Sequence, residues 1–139
     1  MRIIGRRAVA VVGSVALSMV GLLSGAGYAG ADPPVFPSCA AFQSPGPDGV
    51  VHVQMSPGGN LTWGVTMTPL SKSVGAWHMW TMLGGRKTPS GFNRVLTAPY
   101  VPHGVIPAAR SGLVFAARGW VDAADGEKYL VVGAPCRVP

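Results

Sequence analysis

Two runs of alternating apolar and polar residues, separated by a Pro-Gly-Gly break, constrain this chain more than any other feature. Val51, Val53 and Met55 alternate with His52 and Gln54, and Leu61, Trp63, Val65 and Met67 alternate with Thr62, Gly64, Thr66 and Thr68. A period of two places every second side chain on one face of a strand, so both runs read as half-buried strands. If the two apolar faces are to coincide, paired residue numbers must sum to an even number, because a slip of one residue turns the whole apolar set outward. A two-residue Gly58-Gly59 turn breaks that parity, whereas a three-residue Pro57-Gly58-Gly59 loop satisfies it. The resulting hairpin sets Met55 opposite Leu61, Val53 opposite Trp63 and Val51 opposite Val65, with Gly59 in the left-handed conformation.

A third strand, Gly75 to Leu83, carries Trp77 and Met79 on one parity and His78, Trp80 and Met82 on the other. Apolar side chains on both faces suit a central strand covered on both sides, or else leave an unusually greasy exterior. Gly84 to Gly91 reads as a long polar turn, Phe92 to Thr97 as a short strand, and Tyr100 to Arg110, with Pro102 and Pro107, as loop or edge. A last hairpin joins Leu113–Val121 to Lys128–Gly133 around Asp125-Gly126, and a two-residue turn there would set Val121 opposite Leu130 and Trp120 opposite Val131. With no helical apolar period after the N-terminal segment and no repeat, the fold class is all-β. The architecture expected is a small antiparallel β-sandwich, open to an immunoglobulin-like topology, or a small barrel.

The N-terminal segment has the layout of a signal peptide spanning residues 1–31. Arg2, Arg6 and Arg7 precede an apolar stretch from Ala8 to Leu23, and Ala29-Gly30-Ala31 supplies small residues for cleavage before Asp32. Gly13, Ser14, Ser18 and Gly21 interrupt the stretch, and it falls short of the ~20 residues a spanning helix needs, so no stable membrane span is expected after cleavage. Residues 32–48 form a Pro-rich arm, and residues 49–139 the β domain. From Asp32 onward eight basic residues face five acidic ones, so the +6 of the whole chain falls to +3. Those basic residues are scattered singly apart from Arg86-Lys87, which gives no nucleic-acid footprint.

Two cysteines remain, Cys39 near the start of the exported part and Cys136 near its end. In an oxidising compartment they are expected to pair, closing the domain with one terminal disulfide and making its ends neighbours. Their position at the ends differs from the Cys, Trp, Cys arrangement inside immunoglobulin domains.

The chain carries no Gly-x-Ser-x-Gly elbow, His-Glu-x-x-His helix or phosphate loop, so no catalytic residue, metal site or cofactor is expected. His52, His78 and His103 are isolated in sequence, and Asp122, Asp125 and Glu127 read as a solvated hairpin tip. The strongest candidate for binding is the aromatic and methionine-rich strand, with Trp77, Met79, Trp80 and Met82 as its patch.

The Arg-led leader, the Ala29-Gly30-Ala31 cleavage site followed by Asp32-Pro33-Pro34, and the Gly/Ala/Val/Pro-rich β domain resemble small exported β-sandwich proteins of mycobacteria and related actinobacteria, of the secreted immunogenic type. That resemblance implies a secreted or cell-envelope protein without enzymatic activity. The function expected is a non-catalytic binding module with an unknown protein or envelope partner. Two alternatives stay open: a carrier of a small apolar ligand, which needs an internal cavity, and a small His-dependent hydrolase or metalloenzyme, which needs a histidine and a carboxylate converging in a cleft.

Overall fold

The computed structural model describes residues 34–139. The cleavage site after Ala31 and the first two residues of the Pro-rich arm lie outside the described residues. Nine strands follow: β1 Ala41–Pro45, β2 Gly49–Met55, β3 Leu61–Met67, β4 Gly75–Leu83, β5 Arg86–Leu96, β6 His103–Ile106, β7 Val114–Ala123, β8 Lys128–Val132 and β9 Cys136–Arg137. A short 3-10 turn, Leu70–Ser73, links β3 to β4. The strands form two antiparallel sheets, one ordered β1-β2-β3-β6 and the other β5-β4-β7-β8, with β9 also alongside β7. The architecture is a β-sandwich.

Period-two patterning explains the core. Val51, Val53, Leu61, Trp63, Val65 and Met67 of the first sheet are buried, as are Trp77, Met79, Phe92, Phe115, Ala117, Val121 and Val131 of the second. Those of β2, β3, β4, β7 and β8 carry odd numbers because β2–β3, β4–β7 and β7–β8 pair at even sums, whereas β5 pairs with β4 at odd sums and buries the even-numbered Phe92. The β2–β3 register is the expected one, with Val51 opposite Val65, Val53 opposite Trp63 and Met55 opposite Leu61. Ser56 and Asn60 close its loop, the Ser56 N–H donating to the Asn60 carbonyl at 2.9 Å, and Gly59 takes a φ of 83°.

Two expectations are corrected. The stretch from Gly84 to Gly91 is not a long turn: Gly84 and Gly85, with φ of 60° and 79°, make a tight two-residue turn, and β5 starts at Arg86. The alternation of β5 is hidden because its inward side chains are hydroxyls. Thr88 and Ser90 cluster with buried Thr81, Ser90 lying 2.6 Å from Thr81, and the Trp63 indole N–H donates to Ser90 at 3.1 Å. Pro89 is tolerated because β5 is an edge strand with an irregularity in its pairing between Met79 and Thr81.

The second correction concerns the β7–β8 hairpin. Trp120 pairs with Leu130 and Val121 with Tyr129, one residue off the expected register. The loop is again of three residues: the Ala123 N–H donates to the Glu127 carbonyl at 2.9 Å, and Gly126 has a φ of 91°. This register keeps Val121 and Val131 on the buried face together.

Within the Pro-rich segment, Ala41–Pro45 joins the first sheet as an edge strand against β2, and its buried Ser44 hydroxyl accepts the Ala134 N–H at 2.8 Å. The segment Tyr100–Arg110 contributes β6, an edge strand on β3. Cys39 and Cys136 are disulfide-bonded with Cα atoms 5.1 Å apart. Cys39 lies just ahead of β1 and Cys136 in β9, so the bond staples one sheet to the other beside a bridge between Ser38 and Arg137. Among the described residues no helix is long and apolar enough to cross a membrane.

Candidate functional site

In β4, β7 and β8 the parity that buries odd-numbered residues presents the even-numbered ones outward, while β5 has the opposite parity. Across β4, β7 and β8 the outward rows read Ala76, Asp122 and Lys128, then His78, Trp120 and Leu130, then Trp80, Arg118 and Val132. Met82 lies beside Ala116 on one side and Lys87 of β5 on the other. This open face gathers aromatic, aliphatic and charged groups together. Leu130 and Val132, at 64% and 68% exposed, and Val95, at 68%, all lie on this sheet.

The expected patch is therefore split. Trp77 and Met79 are in the core, 1% and 0% exposed, and cannot meet a partner. Trp77 packs edge-on against Phe92 and donates its indole N–H to the buried Ser73 carbonyl. Trp80 and Met82, on the opposite parity, are half-buried on the outer face. Their true companions are His78 of the same strand and, from neighbouring strands, Trp120, Leu130 and three cations.

The two outward tryptophans are bracketed. Arg118 of β7 lies 5.7 Å from the Trp80 ring centre and Lys87 of β5 lies 5.9 Å from it, one cation from each flanking strand. The Trp120 ring is stacked by His78 of β4 at 4.9 Å and met by Lys128 of β8 at 5.3 Å. Trp80 and Trp120 themselves meet edge to face at 5.7 Å. Cations over aromatic rings attract the ring quadrupole, so the row holds its own side chains in place. The acid within it, Asp122, accepts the Trp120 indole N–H at 3.2 Å and sits 3.6 Å from His78 Nε2 and 3.7 Å from Lys128 Nζ.

The histidines do not converge. His78 is on the outer face of the second sheet, while His52 and His103 flank Gly64 on the outer face of the first. His52 Nε2 contacts the Thr66 hydroxyl at 2.9 Å, and His103 Nδ1 lies 3.0 Å from the Val101 carbonyl oxygen. The His78–Asp122 separation is longer than a hydrogen bond, and the pair lies on an open face, not in a cleft. The hairpin-tip carboxylates diverge too. Asp125 accepts the Tyr129 hydroxyl at 2.6 Å and the Glu127 N–H at 2.9 Å, and these bonds hold its carboxyl below the usual range while pushing the Tyr129 phenol up to about 12. Among the described residues no three His, Cys, Asp or Glu side chains are grouped to hold a metal ion.

Between the sheets, a cleft of about 190 Å³ opens where Gly46–Gly49 approach Leu130–Val132. That is smaller than the roughly 300 Å³ at which ligand pockets begin. Trp77, Phe115, Leu61, Met67 and Met79 fill the interior behind it.

No protein-family model matches the chain, and no curated protein does. Among solved structures it is similar to the crystal structure of a Br derivative of BhCBM56, a carbohydrate-binding module. The match has a TM-score of 0.52 at 12% identity, covering 68% of this chain and 97% of that one. What the two chains share at that identity is the β-sandwich fold.

Proposed function

We propose that this protein is an exported, non-catalytic binding module of the small mycobacterial type, secreted or held at the cell envelope, and that it binds carbohydrate through the outer face of its second sheet. The observation that carries the reading is the concentration of Trp80, Trp120, Met82, Leu130 and Val132 on one open face of a molecule whose interior is filled. Singly exposed apolar residues are ordinary, whereas a contiguous set rimmed by polar groups marks an interaction surface. The sandwich likeness to a carbohydrate-binding module directs the ligand class, and the Cys39–Cys136 bond fits an oxidising compartment. His52 and His103 bond to the Thr66 hydroxyl and the Val101 carbonyl, and His78 stays 3.6 Å from Asp122 on an open face, a pattern that supports a binding role over a catalytic one.

The test is a titration of the oxidised protein with soluble polysaccharides, followed by tryptophan fluorescence. Binding should perturb the emission and should be lost in the Trp80→Ala, Trp120→Ala double variant. Undiminished binding by that variant, or loss of binding through Gln54→Ala and Thr62→Ala on the opposite face, would overturn the assignment of the surface.

A further inference from the structure

Resting on the carbohydrate reading, we infer that the ligand of this face is an acidic polysaccharide, recognised by Lys87, Arg118 and Lys128 rather than by stacking of neutral sugars on the tryptophans. The bracketing described above is the reason. A neutral sugar ring gains most by lying flat on a bare aromatic face, yet Trp80 has a cation approaching from each flanking strand, and Trp120 has His78 and Lys128. What the row offers outward, beside indoles already engaged by their neighbours, is exposed aliphatic side chains and cationic heads.

The charge balance agrees. Lys87, Arg118 and Lys128 are exposed on the face, and Asp122 is the acid among them, already engaged by Trp120, His78 and Lys128. Three cations against one acid leave the face positive. A guanidinium is a planar fork that matches a carboxylate or sulfate group, and Arg118 occupies the middle of the set.

Their layout favours a polymer. Lys87 stands on β5 beside Met82, Arg118 on β7 beside Trp80, and Lys128 on β8 beside Asp122, so the three form a diagonal across all four strands. With strands about 4.8 Å apart and a rise of about 3.3 Å per residue, that diagonal is roughly 25 Å long at the backbone. A single sugar or inorganic anion reaches one cation of the three. A linear chain bearing acid groups at intervals reaches all of them, with Leu130 and Met82 beneath its uncharged parts. Single-stranded nucleic acid is the other linear polyanion, but it relies on base stacking against open aromatic faces, which this row does not leave free.

The experiment compares the oxidised protein on polygalacturonate, on the same polymer fully methyl-esterified, on dextran sulfate and on single-stranded oligonucleotide, with affinity measured across a salt series. The expected result is binding to polygalacturonate, to dextran sulfate or to both, at least tenfold weaker binding to the ester, and affinity that falls as salt rises. A carboxylate ligand favours the first polymer and a sulfate ligand the second. Arg118→Gln should weaken the acidic polymer at least tenfold, and Arg118→Lys should restore part of the loss, with unchanged thermal melting showing that the variants are folded. Equal binding of the ester and the acid overturns the inference while leaving the carbohydrate reading standing. Binding to none of the polysaccharides removes both, and tighter binding to the oligonucleotide than to either acidic polymer replaces the ligand class.

Discussion

Replacing both cysteines, Cys39→Ala with Cys136→Ala, removes a cross-link that closes 97 residues of sequence separation. In the chain-entropy treatment a loop of that length contributes about 4.7 kcal/mol, by restricting the unfolded chain and not by any contact in the folded one. Domains of this size are stable by only about 5 to 15 kcal/mol in total, so the loss takes between about three-tenths and nearly all of the net stability. At about 2.1 cal/mol/K per residue of unfolding entropy, it corresponds to a fall in Tm of roughly 20 °C. The folded structure should otherwise persist, since the Ser38–Arg137 bridge and the hydrogen bond from the Cys39 N–H to the Arg137 carbonyl keep the ends together without sulfur. Thermal and urea unfolding of the wild-type and double-alanine proteins provide the assay. The variant should also show a steeper urea dependence, because its unfolded chain, no longer looped, exposes more surface. A fall in Tm of less than about 5 °C with no change in that slope would refute the reasoning, since it would mean that the unfolded ensemble already holds its ends together without the bond.

Two further perturbations test the packing and the electrostatics. Gly119→Ala places a methyl group between β4 and β7, against the His78 carbonyl oxygen and 2.8 Å from Met79 Cα, so urea unfolding should show a loss of about 1 to 3 kcal/mol. An unchanged midpoint would mean that the strands separate at no cost. Tyr129 should ionise near pH 12 and not near 10, followed by its tyrosinate absorbance, and Asp125→Asn should bring the titration down toward 10. Because the folded-state value is raised, the stability that this bond contributes is present below pH 10 and is lost as pH rises from 10 through 12. The paired effect on Asp125, whose value is lowered, is present above the ordinary carboxylate value of 3.8 and is lost as pH falls through its folded value.

Much of the fold is legible in the sequence wherever burial and strand period coincide. β2 and β3 alternate cleanly, so parity alone sets their register. Strand β4 is readable as a strand with two apolar faces, and the reason for the second face is now visible: it carries the outward row of His78, Trp80 and Met82. The β7–β8 register is misread from a favoured turn dipeptide, although the even-sum parity that works for β2–β3 applies equally to Val121 and Val131 and demands the three-residue loop. Strand β5 is harder, because Thr88 and Ser90 bury hydroxyls that satisfy one another, and no hydropathy pattern distinguishes a satisfied buried hydroxyl from a solvated one. The candidate site is half legible for a topological reason. Trp80 and Met82 stand out in the sequence, but Trp77 and Met79 look the same until the strand is placed. Lys87, Arg118 and Lys128 become neighbours of the tryptophans only once the order β5-β4-β7-β8 is known.

The covalent staple between Cys39 and Cys136 also decides how the molecule responds to being pulled. Tension between Cys39 and Cys136 is carried by the sulfur–sulfur link, which bypasses the chain between them, while residues beyond Cys136 first strip their own bonds to β7 and to Ser38 and Cys39. A ligand dragging on the row of Trp80, Trp120 and Leu130 transmits its load differently, through the hydrogen bonds that tie β4, β7 and β8 together. Between its two cysteines the protein is thus inextensible, whereas load applied from the side falls on interstrand hydrogen bonds beneath the surface proposed for binding.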